Sequence, residues 1–240
     1  MLASVYQSIS LTHIILGSLA LLLFWGPLLS KKGGPVHRKT GRYYSLCMHL
    51  VGASGILMTA LVWAMPMAVK PELMSRAVSD PALYQRVMDQ NAFLFLLSLL
   101  SWVTIRHAQL SLKTKQERSV LRHWSVLGPV ALLLAVSLSE LAYFGFSQPL
   151  VLVFAFIGIG TSTGILRYSF VTTVDTRAWL VEHAASMLGS GIAAYTAFSA
   201  FGGRALFSAI LHGYWQLLPW LLPTLVGFPL ILWYRRTLSK

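Results

Sequence analysis

Five residues of this chain combine a titratable side chain with a place inside an apolar run: His13, His49, Glu140, Glu182 and His183. In hydrocarbon such groups are expensive, so each needs a proton, a partner, a ligand or water. Imidazole nitrogens held at one depth on facing helices could ligate a haem iron. A carboxyl paired with an imidazole could instead hold a proton or orient a ligand.

Depth groups these residues into two sets. Counted from Tyr43, His49 lies about six residues into its run, ~9 Å at 1.5 Å per residue, and His183, counted from Trp179, lies ~6 Å deep. They can face each other near one membrane surface, as axial ligands of a b-type haem. Near the other surface, His13 lies about seven residues beyond Tyr6 and Glu140 about six from Phe146, both ~10 Å deep. The expectation is that His13 and Glu140 are neighbours and form a second site for a proton or ligand.

Small residues follow each histidine one turn along: Gly17 after His13, Gly52 and Ala53 after His49, Ser186 after His183. A flat macrocycle on a histidine needs that missing bulk, but close helix packing in lipid uses the same small residues. Haem ligation, proton or ligand handling, and purely structural histidines all remain open at this point. His107, His123 and His212 fall near the ends of apolar runs, where headgroup water makes a histidine cheap, and are read as interfacial or structural.

The elements that must position these groups follow from composition. The 240 residues are 56% hydrophobic and 11% charged, with a mean hydropathy of +0.66, too little polar surface to coat a water-soluble globule. Apolar runs at 7–29, 43–65, 91–110, 124–146, 149–167, 179–201 and 214–234 predict seven transmembrane helices in one all-α domain over residues 1–240. The first 30 residues hold no Lys or Arg, so the first run reads as a retained helix rather than a cleaved leader. "SQP" at 147–149 predicts a tight hairpin with Pro149 opening the fifth helix. Asp80 and Pro81 predict the start of a short interfacial helix ahead of the third span, and Pro219, Pro223 and Pro229 predict a kinked seventh.

Charge supplies orientation. Of the 19 Lys and Arg residues, only Lys70, Arg76, Arg86 and Arg204 fall on the side of the even-numbered loops; the others, Lys240 included, share the opposite side. The positive-inside rule then puts the N-terminus outside and the C-terminus in the cytoplasm of a bacterial-type inner membrane. The net charge of +12 reads as this topology signal, with attraction to anionic lipid headgroups, and not as nucleic-acid binding, since no nucleic-acid motif accompanies it.

Other chemistries lack their residues. Every lysine lies in a loop or the tail, which excludes a retinal Schiff base, and the single Cys47 excludes a disulfide framework or a Cys-based metal cage. No metalloprotease, nucleotide-binding or nucleophile-elbow motif occurs. Whether the chain is an enzyme is left open.

The densest charge is "KKGGPVHRKTGRYY", residues 31–44. A topology signal needs only its Lys and Arg, yet the order "HRKTGRYY", after "HIILGSLALLLFWGPLLSKKGG", resembles a family of uncharacterised bacterial membrane proteins with an H-R-x-x-G-R-x-Y signature. Gly17, Ala20, Leu21, Gly26, His37, Arg38, Gly41, Arg42 and Tyr44 carry the resemblance, over about the first quarter of the chain. It implies a multi-pass helical fold and no particular chemistry. With a haem on His49 and His183, Arg42 or Arg38 would neutralise a propionate, and electrons would pass across the membrane or to a quinone. The alternative is a non-enzymatic protein that binds or transports a small molecule or proton, or an assembly partner of another membrane complex.

Overall fold

The computed structural model describes residues 1–173, 175–203, 207 and 209–238. Arg204 and Lys240, both part of the charge count, lie outside them. The described residues are predominantly helical, with no strand among them. In order the helices are α1 (Leu2–Leu29), α2 (Pro35–Ala64), α3 (Pro66–Val69), α4 (Pro71–Ser79), α5 (Pro81–Thr114), α6 (Trp124–Phe144), α7 (Pro149–Phe170), α8 (Ala178–Ala197) and α9 (Leu218–Leu238).

Proline sets many of these starts. Pro35, Pro66, Pro71, Pro81 and Pro149 all occupy the first turn of their helices, where a missing N–H costs nothing and φ is already helical. Asp80 accepts a hydrogen bond from the Leu83 amide at 3.0 Å and caps α5 as expected. However, the helix it opens is the third span itself, continuous for 34 residues, and the separate short helix before it is α4. Between α6 and α7, Gly145 takes φ 51° and Pro149 starts the next helix, the expected tight hairpin.

Among the described residues five helices, α1, α2, α5, α6 and α7, are long and apolar enough to cross a membrane. The last two expected spans also form helices, α8 and α9, but they are less apolar. Glu182 and His183 stand in the first turns of α8, and Arg235 and Arg236 in the last turn of α9.

Helix α5 is the axis. On one side Phe93, Leu96, Leu100 and Val103 pack with Val130 and Leu133 of α6 and Phe154 and Ile165 of α7. On the other, Ile105 packs with Ala20 of α1 and Tyr44, Cys47 and Met48 of α2, against Met187 of α8. Lipid tails are as apolar as these side chains, so the association rests on close packing, and glycine permits it. A Cβ at Gly52 would lie 2.8 Å from Trp102 Cβ, one at Gly158 would strike Ser137, and one at Gly191 would strike the Phe24 ring.

Side-chain contacts gather the basic segments at one end of the bundle. Arg118 donates to the Tyr168 carbonyl at 2.7 Å and Arg122 to that of Ser169 at 2.9 Å, satisfying two orphaned carbonyls of α7, and Arg118 also donates to the Thr172 carbonyl just past the helix at 3.2 Å. Lys115 lies over Trp179 of α8, and Lys32 over Tyr234 of α9. At the opposite end Lys70 lies over Tyr6, and Gln85 donates to Tyr143. Among the described residues, Lys32, Lys115, Arg118 and Arg122 thus lie at one end of the bundle and Lys70 at the other.

Candidate functional site

Three consecutive residues of α5 anchor the basic half of the bundle. Successive helical positions point about 100° apart, so His107, Ala108 and Gln109 can serve three directions at one depth. His107 Nε2 donates to Glu182 Oε2 of α8 at 3.1 Å, with the edge of its ring toward Tyr168 of α7. The Ala108 carbonyl accepts His183 Nδ1–H at 2.8 Å. Gln109 Oε1 accepts His49 Nε2–H at 2.9 Å, from α2. The spare carbonyl valence of α5 and two long polar side chains thus satisfy groups that lipid could not.

Above this belt, toward the basic end, lies a cavity of about 700 Å³, within the range of small-molecule sites. Its apolar wall includes Phe24 of α1, Leu112 of α5 and Trp179, Leu180, Met187 and Leu188 of α8; Tyr44, bonded to Ser190 Oγ at 2.8 Å, is part of its lining. Its polar part is cationic. Lys32, His37, Arg38, Arg42 and Lys113 line it, and among the described residues no carboxylate does.

Two of these groups are already committed. Lys32 closes the end of α1 by donating to the Pro27 and Leu28 carbonyls, and His37 Nδ1 donates to the Pro27 carbonyl at 3.0 Å. Arg38, Arg42 and Lys113 form no hydrogen bond or ion pair among the described residues. The N-terminal ends of α2 and α8 border the same space, adding the positive ends of two helix dipoles. The acid of the neighbouring loop, Glu117, is held below the usual carboxylate range by the Ser119 hydroxyl and amide and stays in solvent, outside the cavity.

The positions read from the sequence divide accordingly. Arg38, Arg42 and His183 meet in one cavity; His49 does not line it. His183 has the arrangement expected of a ligating histidine, since its Nδ1–H is fixed by a carbonyl and Nε2 has no partner among the described residues. His49 does not, because Nε2 is spent on Gln109, and Trp102 fills the space one turn along at Gly52. The residues do not fit a haem held by both histidines.

The pair expected near the other surface is not formed. His13 Nδ1 donates to Ser54 Oγ of α2 at 2.9 Å, whereas Glu140 on α6 packs toward α5 and α7, is 5% exposed, and has no partner for Oε2. His107, read as interfacial or structural, is buried and paired with Glu182, which fits the structural alternative and not the interfacial one; His123, which caps α6, and His212 are exposed as expected. Sequence reasoning missed Gln109, Lys113 and Tyr234, residues at helix ends whose types are ordinary there. No family model matches the chain, and no curated protein or solved structure matches it.

Proposed function

We propose that this is a bacterial-type inner-membrane protein of seven spans, with its basic end and C-terminus in the cytoplasm, whose cavity binds an amphiphile with an anionic head. The observation that carries the reading is the lining: among the described residues, three cations without partners and no carboxylate, set against an aromatic and aliphatic wall. An unpaired guanidinium beside apolar surface is stabilised by phosphate or carboxylate oxygens, which it can hold with two parallel hydrogen bonds. The H-R-x-x-G-R-x-Y pattern then acquires a physical role, since its His37, Arg38, Arg42 and Tyr44 all border the cavity.

The protein purified in a maltoside detergent should gain thermal stability from dodecyl phosphate and not from dodecyltrimethylammonium, and solvent extraction should release an anionic lipid. Equal response to both probes would overturn the reading. For topology, a reporter active only in the cytoplasm should give signal when fused after Lys240 and none when fused within residues 68–88. Signal from the inner fusion would reverse the orientation.

A second reading, favoured by the free Nε2 of His183, keeps a b-type haem in the same cavity, with Arg38 and Arg42 toward its propionates and electrons delivered to a quinone or a partner membrane protein. The haem would supply one-electron transfer. Its sixth ligand would have to be something other than His49. A Soret band that shifts on dithionite reduction supports this reading; a colourless preparation from haem-replete cells removes it.

A further inference from the structure

The cavity holds acceptors as well as cations, and the binding of an anionic head by its arginines leaves them unused. His183 of α8 and His37 of α2 both line it and interact electrostatically with each other. Both rings are fixed in the same way, His183 Nδ1 at 2.8 Å from the Ala108 carbonyl and His37 Nδ1 at 3.0 Å from that of Pro27. A carbonyl only accepts, so each ring carries its proton on Nδ1, and in the neutral ring Nε2 keeps a lone pair. Neither Nε2 has a partner among the described residues. His37 stands in the first turn of α2, where water can meet that lone pair. His183 is held deeper, since Ala108 lies six residues, ~9 Å, inside the end of α5.

Most anionic heads leave His183 Nε2 unmatched. A carboxylate, a sulfate or a phosphodiester carries only acceptor oxygens near neutral pH, which suits Arg38, Arg42 and Lys113 and offers nothing to a nitrogen lone pair. Such a head bonds to Nε2 only after the ring takes a proton from water. That adds a positive charge to a lining with three cations without partners and, among the described residues, no carboxylate. A neutral alcohol would satisfy Nε2 and leave the guanidinium groups unmatched.

A phosphate monoester satisfies both. Its second ionisation lies at about 6, next to the ordinary imidazole value of about 6.5, so near neutral pH one proton is shared between its oxygen and Nε2. With that proton on oxygen, the hydroxyl donates to the lone pair. With the proton on nitrogen, the head is a dianion that compensates the added cation and accepts from it.

We propose that the cavity selects a phosphate monoester on an apolar tail, with Arg38 and Arg42 on its ionised oxygens and His183 Nε2 on its ionisable hydroxyl. The proposal rests on the amphiphile reading and adds the class of head and the residue that reads it. Binding moves at most one proton, from oxygen to nitrogen; no bond between heavy atoms changes and no electron is transferred.

The test compares two ligands on the full chain in a maltoside detergent: dodecyl phosphate and its methyl ester, which keeps the tail and one negative charge but has no ionisable hydroxyl. Titrations read by thermal shift near neutral pH should favour dodecyl phosphate at least about tenfold, the effect of one hydrogen bond to a charged group. His183→Phe keeps every cation, so a preference due to charge alone survives it; the proposal expects the preference to fall about tenfold. The Ala108 carbonyl keeps the Ser111 hydroxyl as a donor at 3.2 Å, so the substitution strands no group, and the melting temperature without ligand checks the fold. His183→Leu serves the same comparison if the phenylalanine variant does not fold. Equal affinity of the wild type for the two ligands, or an unchanged preference in the folded variant, overturns the proposal and leaves the amphiphile reading standing. Binding of neither ligand overturns both. Inorganic phosphate, which has the hydroxyl and no tail, should not displace dodecyl phosphate at equal concentration; displacement would make this a site for free phosphate and overturn both.

Discussion

Replacing Arg38 and Arg42 together with Gln should weaken dodecyl phosphate binding on the order of 100-fold while leaving the fold intact. The two residues stand at i and i+4 on α2, so they present both guanidinium groups on one side of the helix, toward the cavity. Among the described residues neither has a partner whose loss would leave a buried charge stranded, and both are exposed, so glutamine costs the protein little. What is lost is the bond to the ligand. A hydrogen bond to a charged group contributes about 1.5–3 kcal/mol, and two of them at the lower figure correspond to roughly a hundredfold in affinity. Titration with dodecyl phosphate, read by thermal shift at fixed detergent, measures it. Unchanged affinity in the double variant, with the melting temperature preserved, would mean that the arginines serve topology alone.

The basic end was legible in the sequence because charge partition across a membrane needs no knowledge of which helices touch. Helix-to-helix neighbours were not, because depth is one coordinate and azimuth is another. His13 and Glu140 stand at matching depth and still lie apart, since α1 packs on α2 while α6 packs on α7 and α5. His49 and His183 were correctly set at nearly one level, but each turns to α5, whose Gln109 and Ala108 carbonyl receive them.

His107 was misplaced for a different reason. The third apolar run stops at 110, yet its helix continues through polar residues to Thr114, so His107 lies seven residues, ~10 Å, from the helix end and inside the bundle. Lys113 was hidden in the same way, as one more cation in a basic stretch. Only the fold separates it from Arg118, whose guanidinium donates to the carbonyls of Tyr168 in α7 and Thr172 just past it.

Gly52→Val should remove most of the protein's stability. A Cβ there would lie 2.8 Å from Trp102 Cβ and 3.2 Å from Trp102 Cα; the second contact is with backbone, so no rotamer change relieves it. Valine adds two methyl groups to that collision, and overpacking of this kind costs about 1–3 kcal/mol, more where the neighbour cannot move. Helix α2 would be driven from α5 at the level where His49 meets Gln109, one turn from the substitution, so the polar belt would open with it. Gly160→Ala is the matched control, since nothing lies within 4 Å of its Cβ position and alanine favours helix. The expected result is a fall in melting temperature of many degrees, or loss of a monodisperse peak, for Gly52→Val alone. The same variant separates the two explanations of small residues beside membrane histidines. If glycine at 52 serves helix packing, valine destroys the fold; if it makes room for a macrocycle on His49, valine spares the fold and removes a cofactor absorbance. A folded, colourless Gly52→Val protein derived from a coloured parent would therefore overturn the packing account and return His49 to the role of a ligand.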